Sequence, residues 1–161
     1  MSRAVLSIGS NQGDRRAYLQ SAVEAFRPWL TAVSPIYETP PWGPVAQDDY
    51  LNAVLLVADD DASARDWLAR AHDAERVAGR TRELRWGPRT LDVDVIAVDA
   101  VISTDPQLTL PHPRAQERAF VLVPWLAVDP DATLRGLPLT AWLADLPDAQ
   151  TVHRVGDLVV A

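Results

Sequence analysis

Two aspartates that follow a group of arginines are the residues with the clearest chemistry in this chain of 161 residues. Residues 85–95 read RWGPRTLDVDV. Because apolar and acidic residues alternate over 91–95, the pattern predicts a strand on which Asp92 and Asp94 project from one face, about 7 Å apart. Paired carboxylates on a rigid element suit a hard cation such as Mg²⁺. The stretch therefore predicts a metal site.

The arginines upstream indicate a ligand that would accompany the metal. All fifteen basic residues are arginine, and five of them fall within fourteen positions: Arg76, Arg80, Arg82, Arg85 and Arg89. A run of charge is usually a solvated loop, but guanidinium groups also match phosphate oxygens. Beside two carboxylates, the cluster predicts a triphosphate whose charge is shared between Mg²⁺ and arginine.

Composition excludes several classes of protein. The net charge of −7 argues against general nucleic-acid binding, which needs a broad basic surface. The chain has no cysteine, so disulfides and thiolate metal sites are excluded. No apolar run approaches the roughly 20 residues of a membrane span, and the N-terminus lacks a signal-peptide pattern. We expect a cytoplasmic protein that binds neither nucleic acid nor membrane.

The elements that must position these residues follow a simple order. Apolar patterns predict strands over 4–8, 31–38, 50–58 and 91–98, with helices after the first and third strands. Asp14 is expected to cap the first helix, and Ser63 with Asp66 the second, which ends at Gly79. This order predicts an α+β fold with a ferredoxin-like βαββαβ core: an antiparallel sheet with helices packed on one face, plus a C-terminal extension. We expect one domain over residues 1–161.

Several other residues allow two interpretations. His112 stands between two prolines, where it is either structural or part of a cleft. Tyr50, Trp86 and Phe120 are either core residues or ligand contacts. Trp42 and Trp86 each precede a Gly-Pro pair outside the periodic elements, which favours stacking on a flat ligand at least as much as burial.

Six segments together resemble the 6-hydroxymethyl-7,8-dihydropterin pyrophosphokinase family of folate biosynthesis. They occur in the family's order and approximate spacing over about residues 1 to 126, and the RWGPRTLDxD segment is the most specific. The segments are Ile8-Gly9-Ser10-Asn11; Tyr37 with Thr39-Pro40-Pro41 and Gly43-Pro44; Asp49-Tyr50-Leu51-Asn52; Glu75 with Gly79-Arg80-Thr81-Arg82; residues 85–94; and Pro111-His112-Pro113-Arg114 with Glu117-Arg118-Ala119-Phe120.

The resemblance implies a reaction and two substrates. Members transfer the pyrophosphoryl group of ATP to the hydroxymethyl oxygen of the pterin and release AMP. By this resemblance Asp92 and Asp94 would bind two Mg²⁺ ions, and Arg80 and Arg89 would be the catalytic residues that neutralise the transferred group. We expect a monomer. Residues 40–48 and 80–88 are the expected lids over the site.

The same resemblance implies two sets of binding residues. Those for the pterin are Thr39, Pro40, Trp42, Tyr50, Asn52, Trp86 and Phe120. Those for ATP are His72, Glu75, Arg82, Trp86, Arg89, Ile96, Leu108, Thr109, His112 and Arg118. Two positions depart from the family's pattern: Trp42 stands where an aliphatic residue is usual, and His72 where a glutamine-like residue is usual.

From the residues alone, two other functions fit. A nucleotidyltransferase on a ferredoxin-like fold also holds two metals on paired aspartates, but it would release pyrophosphate rather than AMP. A regulatory nucleotide-binding module would bind ATP without turnover.

Overall fold

The fold is an antiparallel sheet with helices on both faces. The computed structural model describes residues 2–40, 48–79 and 90–160. Along these ranges the elements are β1 (Arg3–Ser10), α1 (Arg15–Phe26), β2 (Leu30–Val33), β3 (Ile36–Thr39), β4 (Tyr50–Ala58), α2 (Ala64–Val77), β5 (Asp92–Val98), β6 (Ser103–Asp105), β7 (Leu108–Leu110), α3 (Ala119–Val128), β8 (Thr133–Leu134), β9 (Leu137–Pro138), α4 (Leu139–Ala144) and β10 (His153–Gly156). Short 3₁₀ helices cover Arg27–Trp29, Ala115–Glu117 and Pro147–Thr151.

The strand order of the main sheet confirms the ferredoxin-like prediction. The order is β10-β3-β4-β1-β5, with β2 also paired to β4, and these pairings are antiparallel. β1 and β4 are the central strands, and β5 is an outer strand beside β1. β5, the strand that follows α2, therefore pairs with β1, as the βαββαβ order requires.

The helix ends lie where their capping residues predict. The Asp14 carboxylate accepts a hydrogen bond from the Ala17 backbone N–H at 3.0 Å. Ser63 and Asp66 form a reciprocal capping box, with distances of 3.1 and 2.8 Å. Gly79, with φ of +72°, follows the end of α2. A cap of this kind stabilises a helix by about 1 kcal/mol.

The single strand predicted over 31–38 is wrong: the chain forms two strands, β2 and β3, there. The break falls at Ser34 and Pro35. The Ser34 side chain accepts the Val54 N–H at 2.8 Å, and the Ser34 N–H donates to the Val54 carbonyl at 2.9 Å. Since proline has no N–H for the ladder, the strand is interrupted at this point, and β2 and β3 pair with different halves of β4.

The expectation that the helices pack on one face is also wrong, because the sheet is covered on both. Alternate residues of β4 show this. Ala53, Leu55 and Val57 lie in the apolar cluster shared with α1 and α2, whereas Val54 lies in a second cluster with α3 and α4. The helix α3 is therefore what covers the second face.

A bulge in β5 corrects a second detail. The register against β1 shifts between Leu6, which pairs with Val95, and Val5, which pairs with Ala97. The extra residue is Ile96, so the sides of the strand switch there. Simple alternation would put Val98 on the face of Asp92 and Asp94, but Val98 lies in the α1–α2 cluster.

The C-terminal extension contributes a strand that the sequence pattern did not indicate. β10 pairs with β3, and the tail beyond it returns along α1, where the Gln20 side chain exchanges two hydrogen bonds with the Val159 backbone at 2.9 and 2.7 Å. None of the helices in the described ranges is long and apolar enough to span a bilayer.

Candidate active site

A concave site lies on the α3 face of the sheet, beyond the part that α3 covers. It is a pocket of about 460 Å³, bounded by β1, β3, β4 and β5 together with α2, the β6–β7 hairpin and the start of α3. Its lining residues are Ser7, Gly9, Thr39, Pro40, Tyr50, Asn52, Leu68, His72, Glu75, Asp92, Val93, Asp94, Val95, Pro106, Gln107, Leu108, Thr109, His112, Pro113, Arg118 and Phe120.

The sheet register brings the two aspartates into this pocket side by side. Asp92 pairs with Gly9 and Asp94 with Ser7, while Gly9 also pairs with Asn52 on β4. Directly paired residues share a face of a sheet. The carboxylates of β5 and the amide of β4 therefore face the same space, separated only by the small residues of β1.

A largely buried arginine lies against one of these carboxylates. The Arg118 Nη1 atom is 3.8 Å from the Asp94 Oδ2 atom, and the Arg118 side chain is only 13% exposed. Burial lowers the pKa of the Arg118 guanidinium, and the Asp94 carboxylate opposes that shift. Arginine stays protonated in proteins. Among the described residues, the buried Arg118 Nε has no hydrogen-bond partner.

His112 presents a neutral ring to the pocket. Burial, together with the nearby Arg118 and Arg114 guanidinium groups, lowers the pKa of His112 to about 4, against the opposing effect of Asp92. The Arg114 N–H donates to the His112 Nδ1 atom at 3.2 Å, and the His112 N–H donates to the Ile96 carbonyl at 2.8 Å. Since Nδ1 is an acceptor, the neutral ring carries its proton on Nε2, which makes that atom a hydrogen-bond donor.

Glu75 connects α2 to the strand that carries the aspartates. Its side chain is 5% exposed, and its Oε2 atom accepts the Val93 backbone N–H at 3.0 Å. Val93 lies between Asp92 and Asp94. This contact satisfies a donor of an outer strand and fixes the strand's backbone between the two carboxylates.

On the opposite side of the pocket, β3 and β4 build a polar and aromatic wall. The Asn52 Nδ2 atom donates to the Thr39 Oγ1 atom at 2.7 Å, and both side chains are buried. Tyr50 pairs directly with Thr39 across the two strands. A Cβ on Gly9 would lie 2.8 Å from the Asn52 Oδ1 atom and 3.4 Å from the Tyr50 ring. Glycine is thus what allows these two side chains to approach β1.

The structure brings most of the predicted site residues together. Of those it describes, the ones that line the pocket are Thr39, Pro40, Tyr50, Asn52 and Phe120 from the pterin set, His72, Glu75, Leu108, Thr109, His112 and Arg118 from the ATP set, and the metal pair Asp92 and Asp94. Ile96 is not with them: its side chain is fully buried in the α3 cluster, and its carbonyl supports His112. Trp42, Arg80, Arg82, Trp86 and Arg89 lie outside the described residues.

Ser7, Gly9 and the Pro106–Gln107 turn also line the pocket but were not predicted as site residues. The signal for Gly9 was present, because glycine in an otherwise apolar strand often marks close approach of another group. The resemblance already implied that Leu108 and Thr109 of β7 belong to the site, but no local pattern indicates that the turn before them also lines the pocket.

The donor set fits a magnesium ion bound together with phosphates. No group of three or more His, Asp or Glu side chains suited to a metal occurs within residues 2–40, 48–79 and 90–160. Mg²⁺ usually takes only one or two carboxylates from a protein and completes its octahedron with water and substrate phosphates. Asp92 and Asp94 match that requirement.

Comparison with known proteins gives a consistent result. The sequence model of the family described as 7,8-dihydro-6-hydroxymethylpterin-pyrophosphokinase (HPPK) matches residues 5–130. A Mycobacterium tuberculosis protein named 2-amino-4-hydroxy-6-hydroxymethyldihydropteridine pyrophosphokinase is 51% identical over 162 residues, covering 92% of this chain and 86% of that one. A protein of the same name from Methylorubrum extorquens is 42% identical over 159 residues, covering 96% and 99%.

Solved structures support the fold. Wild-type Plasmodium falciparum HPPK-DHPS with pteroate matches with a TM-score of 0.69 at 10% identity, covering 95% of this chain. The same protein with pterin and p-hydroxybenzoate matches with a TM-score of 0.67 at 11% identity. This chain spans 47% and 45% of those longer chains, and at such identities the likeness concerns the fold alone.

Proposed function

Because this chain belongs to the 7,8-dihydro-6-hydroxymethylpterin-pyrophosphokinase family, we propose that the pocket on the α3 face is where it binds its two substrates. The enzyme transfers pyrophosphate from ATP to 6-hydroxymethyl-7,8-dihydropterin in folate biosynthesis. The observation that carries the proposal is that one pocket has two different sides. Asp92 and Asp94 lie on one side, and the buried Asn52 amide lies with the Tyr50 ring on the other.

The pterin binds on the β3–β4 side. The Asn52 amide and Thr39 offer hydrogen bonds at a buried edge, which suits the amide-like edge of the pterin. Tyr50 and Phe120 line the same space with flat rings, and flat rings suit stacking on a bicyclic heterocycle. Pro40 follows Thr39 at the end of β3 and lines the pocket on the same side. Trp42 and Trp86 remain predicted pterin contacts.

ATP binds on the β5 side. Asp92 and Asp94 hold the Mg²⁺ that accompanies the phosphates, and we propose two ions. When bound, Mg²⁺ polarises and aligns the phosphate oxygens. His72, Glu75, Leu108 and Thr109 line the part of the pocket that lies between α2 and the β6–β7 hairpin, where adenosine would lie. Ile96 contributes indirectly, through the backbone carbonyl that accepts the His112 N–H.

Two basic side chains lie where the phosphates would bind. Arg118 supplies a fixed positive charge beside Asp94, and His112 supplies the neutral Nε2–H donor. In that tautomer His112 has no free acceptor nitrogen, so it is a donor to the phosphates and not the base for the pterin hydroxyl. Arg80, Arg82 and Arg89 remain predicted partners of the phosphates.

The transfer itself is a displacement at the β-phosphorus of ATP. The hydroxymethyl oxygen of the pterin forms a bond to that phosphorus and loses its proton to solvent water, while the bond from the β-phosphorus to the oxygen bridging the α-phosphate breaks and AMP leaves with that oxygen. Arg118 offsets negative charge on the phosphates, and Asn52 and Tyr50 hold the attacking molecule in line. Alignment and charge stabilisation account for most of the catalysis in such a transfer, and we assign no dedicated base.

We also propose that the enzyme works as a monomer in the cytoplasm, as one domain over residues 1–161, with no nucleic-acid or membrane partner. Size-exclusion chromatography with light scattering tests the monomer.

Separation of the nucleotides formed from ATP and Mg²⁺, with and without the pterin, tests the reaction. We expect AMP only when the pterin is present, in a one-to-one ratio with the pterin diphosphate. Release of pyrophosphate would favour a nucleotidyltransferase, and tight ATP binding without turnover would favour a regulatory module.

A further inference from the structure

Arg15, the first residue of α1, joins the ends of two strands next to the pocket. Its Nη1 atom lies 3.1 Å from the Glu38 Oε2 atom and donates to the Asp49 carbonyl at 2.9 Å. Glu38 is the penultimate residue of β3, and Asp49 immediately precedes β4. One guanidinium nitrogen therefore connects both strand ends.

The residues next to these two contacts are proposed pterin contacts. Thr39 follows Glu38, Tyr50 follows Asp49, and Thr39 and Tyr50 pair with each other and line the pocket. Any change in the separation of the strand ends would move these side chains directly. Each residue that Arg15 contacts is therefore the immediate neighbour of a side chain in the pterin wall, so a shift of Arg15 would move that wall.

The anchor itself is rigid. Asp14 caps α1 by accepting the Ala17 N–H, which fixes the first turn to which Arg15 belongs. From the same β1–α1 connection, the buried Asn11 donates its Nδ2–H to the Asp48 carbonyl at 3.0 Å. Asn11 of this connection and Arg15 at the start of α1 therefore hold consecutive carbonyl groups, those of Asp48 and Asp49, ahead of β4.

The ordinary alternative is a surface ion pair of little consequence. The side chains of Arg15 and Glu38 are 31% and 38% exposed, and ion pairs that are this exposed contribute little to stability. That argument limits the effect of Arg15 on stability, but it does not limit its effect on geometry. A displacement of about 1 Å in a group that positions a substrate can lower the rate of reaction substantially.

We propose that Arg15 is a positioning residue for the pterin, which sets the separation of β3 and β4 at Thr39 and Tyr50 without touching the substrate. The inference rests on the proposed pterin subsite. It concerns the pterin rather than ATP, because both contacts of Arg15 lie on the β3–β4 side and none lies on β5.

Steady-state kinetics of Arg15→Gln tests the proposal. We expect the KM for the pterin to rise roughly fivefold, which corresponds to a loss of binding energy of about one ordinary hydrogen bond. The KM for ATP and the melting temperature stay at the wild-type values. Arg15→Lys, which keeps the charge but has one ammonium group in place of the fork, recovers part of the loss.

Two further variants make the result specific. Arg16→Gln is the matched control, since Arg16 is the next residue of the same helix and donates to the Asp157 carbonyl in the C-terminal tail; it keeps the wild-type KM for the pterin. Tyr50→Leu removes a proposed pterin contact and raises that KM.

An unchanged pterin KM in Arg15→Gln, with a raised value in Tyr50→Leu, would overturn the role of Arg15 alone. If neither variant raises it, the pterin subsite itself is wrong. A melting temperature that falls in Arg15→Gln in proportion to the KM effect would also overturn the proposal, because the role would then be structural.

Discussion

Arg118 Nη1 lies 3.8 Å from Asp94 Oδ2 inside the pocket, so a fixed cation already lies beside a proposed metal ligand. The arginine is the buried partner, at 13% exposure against 36% for the aspartate. A buried charge needs a counter-charge, and Asp94 provides it in this arrangement. In the proposed complex with ATP and Mg²⁺, the phosphates would be the arginine's alternative partner, which would leave Asp94 available to the metal.

Arg118→Gln therefore weakens the reaction at the ATP side. We expect kcat/KM for ATP to fall by roughly 10- to 100-fold, because the phosphates lose a charge-assisted donor in a partly buried site. The KM for the pterin changes much less. Steady-state kinetics with each substrate varied in turn measures both. Arg27→Gln, which removes an arginine paired with Glu24 outside the pocket, is the control and keeps wild-type values. Equal losses for both substrates would contradict a role confined to the phosphates.

His112 should stay neutral well below the pH at which a free histidine titrates. Since burial lowers its pKa from 6.5 to about 4, the unfolded chain binds this proton first as pH falls. The stability that depends on neutral His112 is therefore fully present above pH 6.5 and is lost as pH falls from 6.5 towards 4. Nitrogen chemical shifts of the ring in the substrate-free enzyme will show the Nε2–H tautomer at pH 6.

The same shift predicts a difference in stability. Urea unfolding at pH 7 and pH 5 should show that wild type loses more free energy of unfolding than His112→Gln does, by on the order of 1 kcal/mol after allowance for solvent screening. Equal losses in the two proteins would mean that the pKa of His112 is not lowered by the fold.

Glu75 has a structural role, because it accepts the Val93 backbone N–H. Glu75→Leu leaves the Val93 N–H without its acceptor, which costs about 1–3 kcal/mol of stability and loosens β5 between Asp92 and Asp94. Glu75→Gln keeps an acceptor oxygen and loses less. Chemical denaturation and kcat measured on both variants check this order. A leucine variant as stable and as active as the glutamine variant would contradict the contact.

Gly9→Ala should disturb the pterin wall from the β1 side. The new Cβ would lie 2.8 Å from the Asn52 Oδ1 atom, and Asn52 is held by Thr39. Overpacking of this kind costs about 1–3 kcal/mol. We expect a raised KM for the pterin together with a lowered melting temperature. A variant with the wild-type pterin KM would show that the Asn52 amide does not contact the substrate.

Patterns local in sequence predicted the core of the fold. The alternation around Asp92, the caps at Asp14 and Ser63 and the βαββαβ order depend on neighbours a few residues apart, and each was confirmed. The break of the 31–38 strand at Ser34 and Pro35 has a local cause, but the other failures were tertiary. Nothing near Ile96 indicates a bulge that switches the sides of β5, and nothing in residues 119–128 shows that this helix covers the opposite face.

The site was predictable in composition but not in its connections. The resemblance named Glu75, Asn52 and His112, yet the contacts that fix them run to Val93, Thr39 and the Arg114 backbone. Such contacts depend on strand register, which a sequence pattern does not specify uniquely. Arg15 shows the same limit: its two partners lie 23 and 34 residues away.

The most direct test of the central claim, that Asp92 and Asp94 hold the metal for transfer, is the rate of AMP formation by Asp94→Asn with ATP, Mg²⁺ and the pterin. Asparagine keeps the size of the side chain but removes its charge. Asp60→Asn is the control, because Asp60 is an exposed turn residue beyond the opposite end of β4 from Tyr50. We predict a fall of at least about 100-fold for Asp94→Asn, the scale of losing one electrostatic contact to the reacting group. The far-ultraviolet circular dichroism spectrum of Asp94→Asn should be unchanged, and Asp60→Asn should keep wild-type activity. An Asp94→Asn enzyme that forms AMP at close to the wild-type rate would contradict the account.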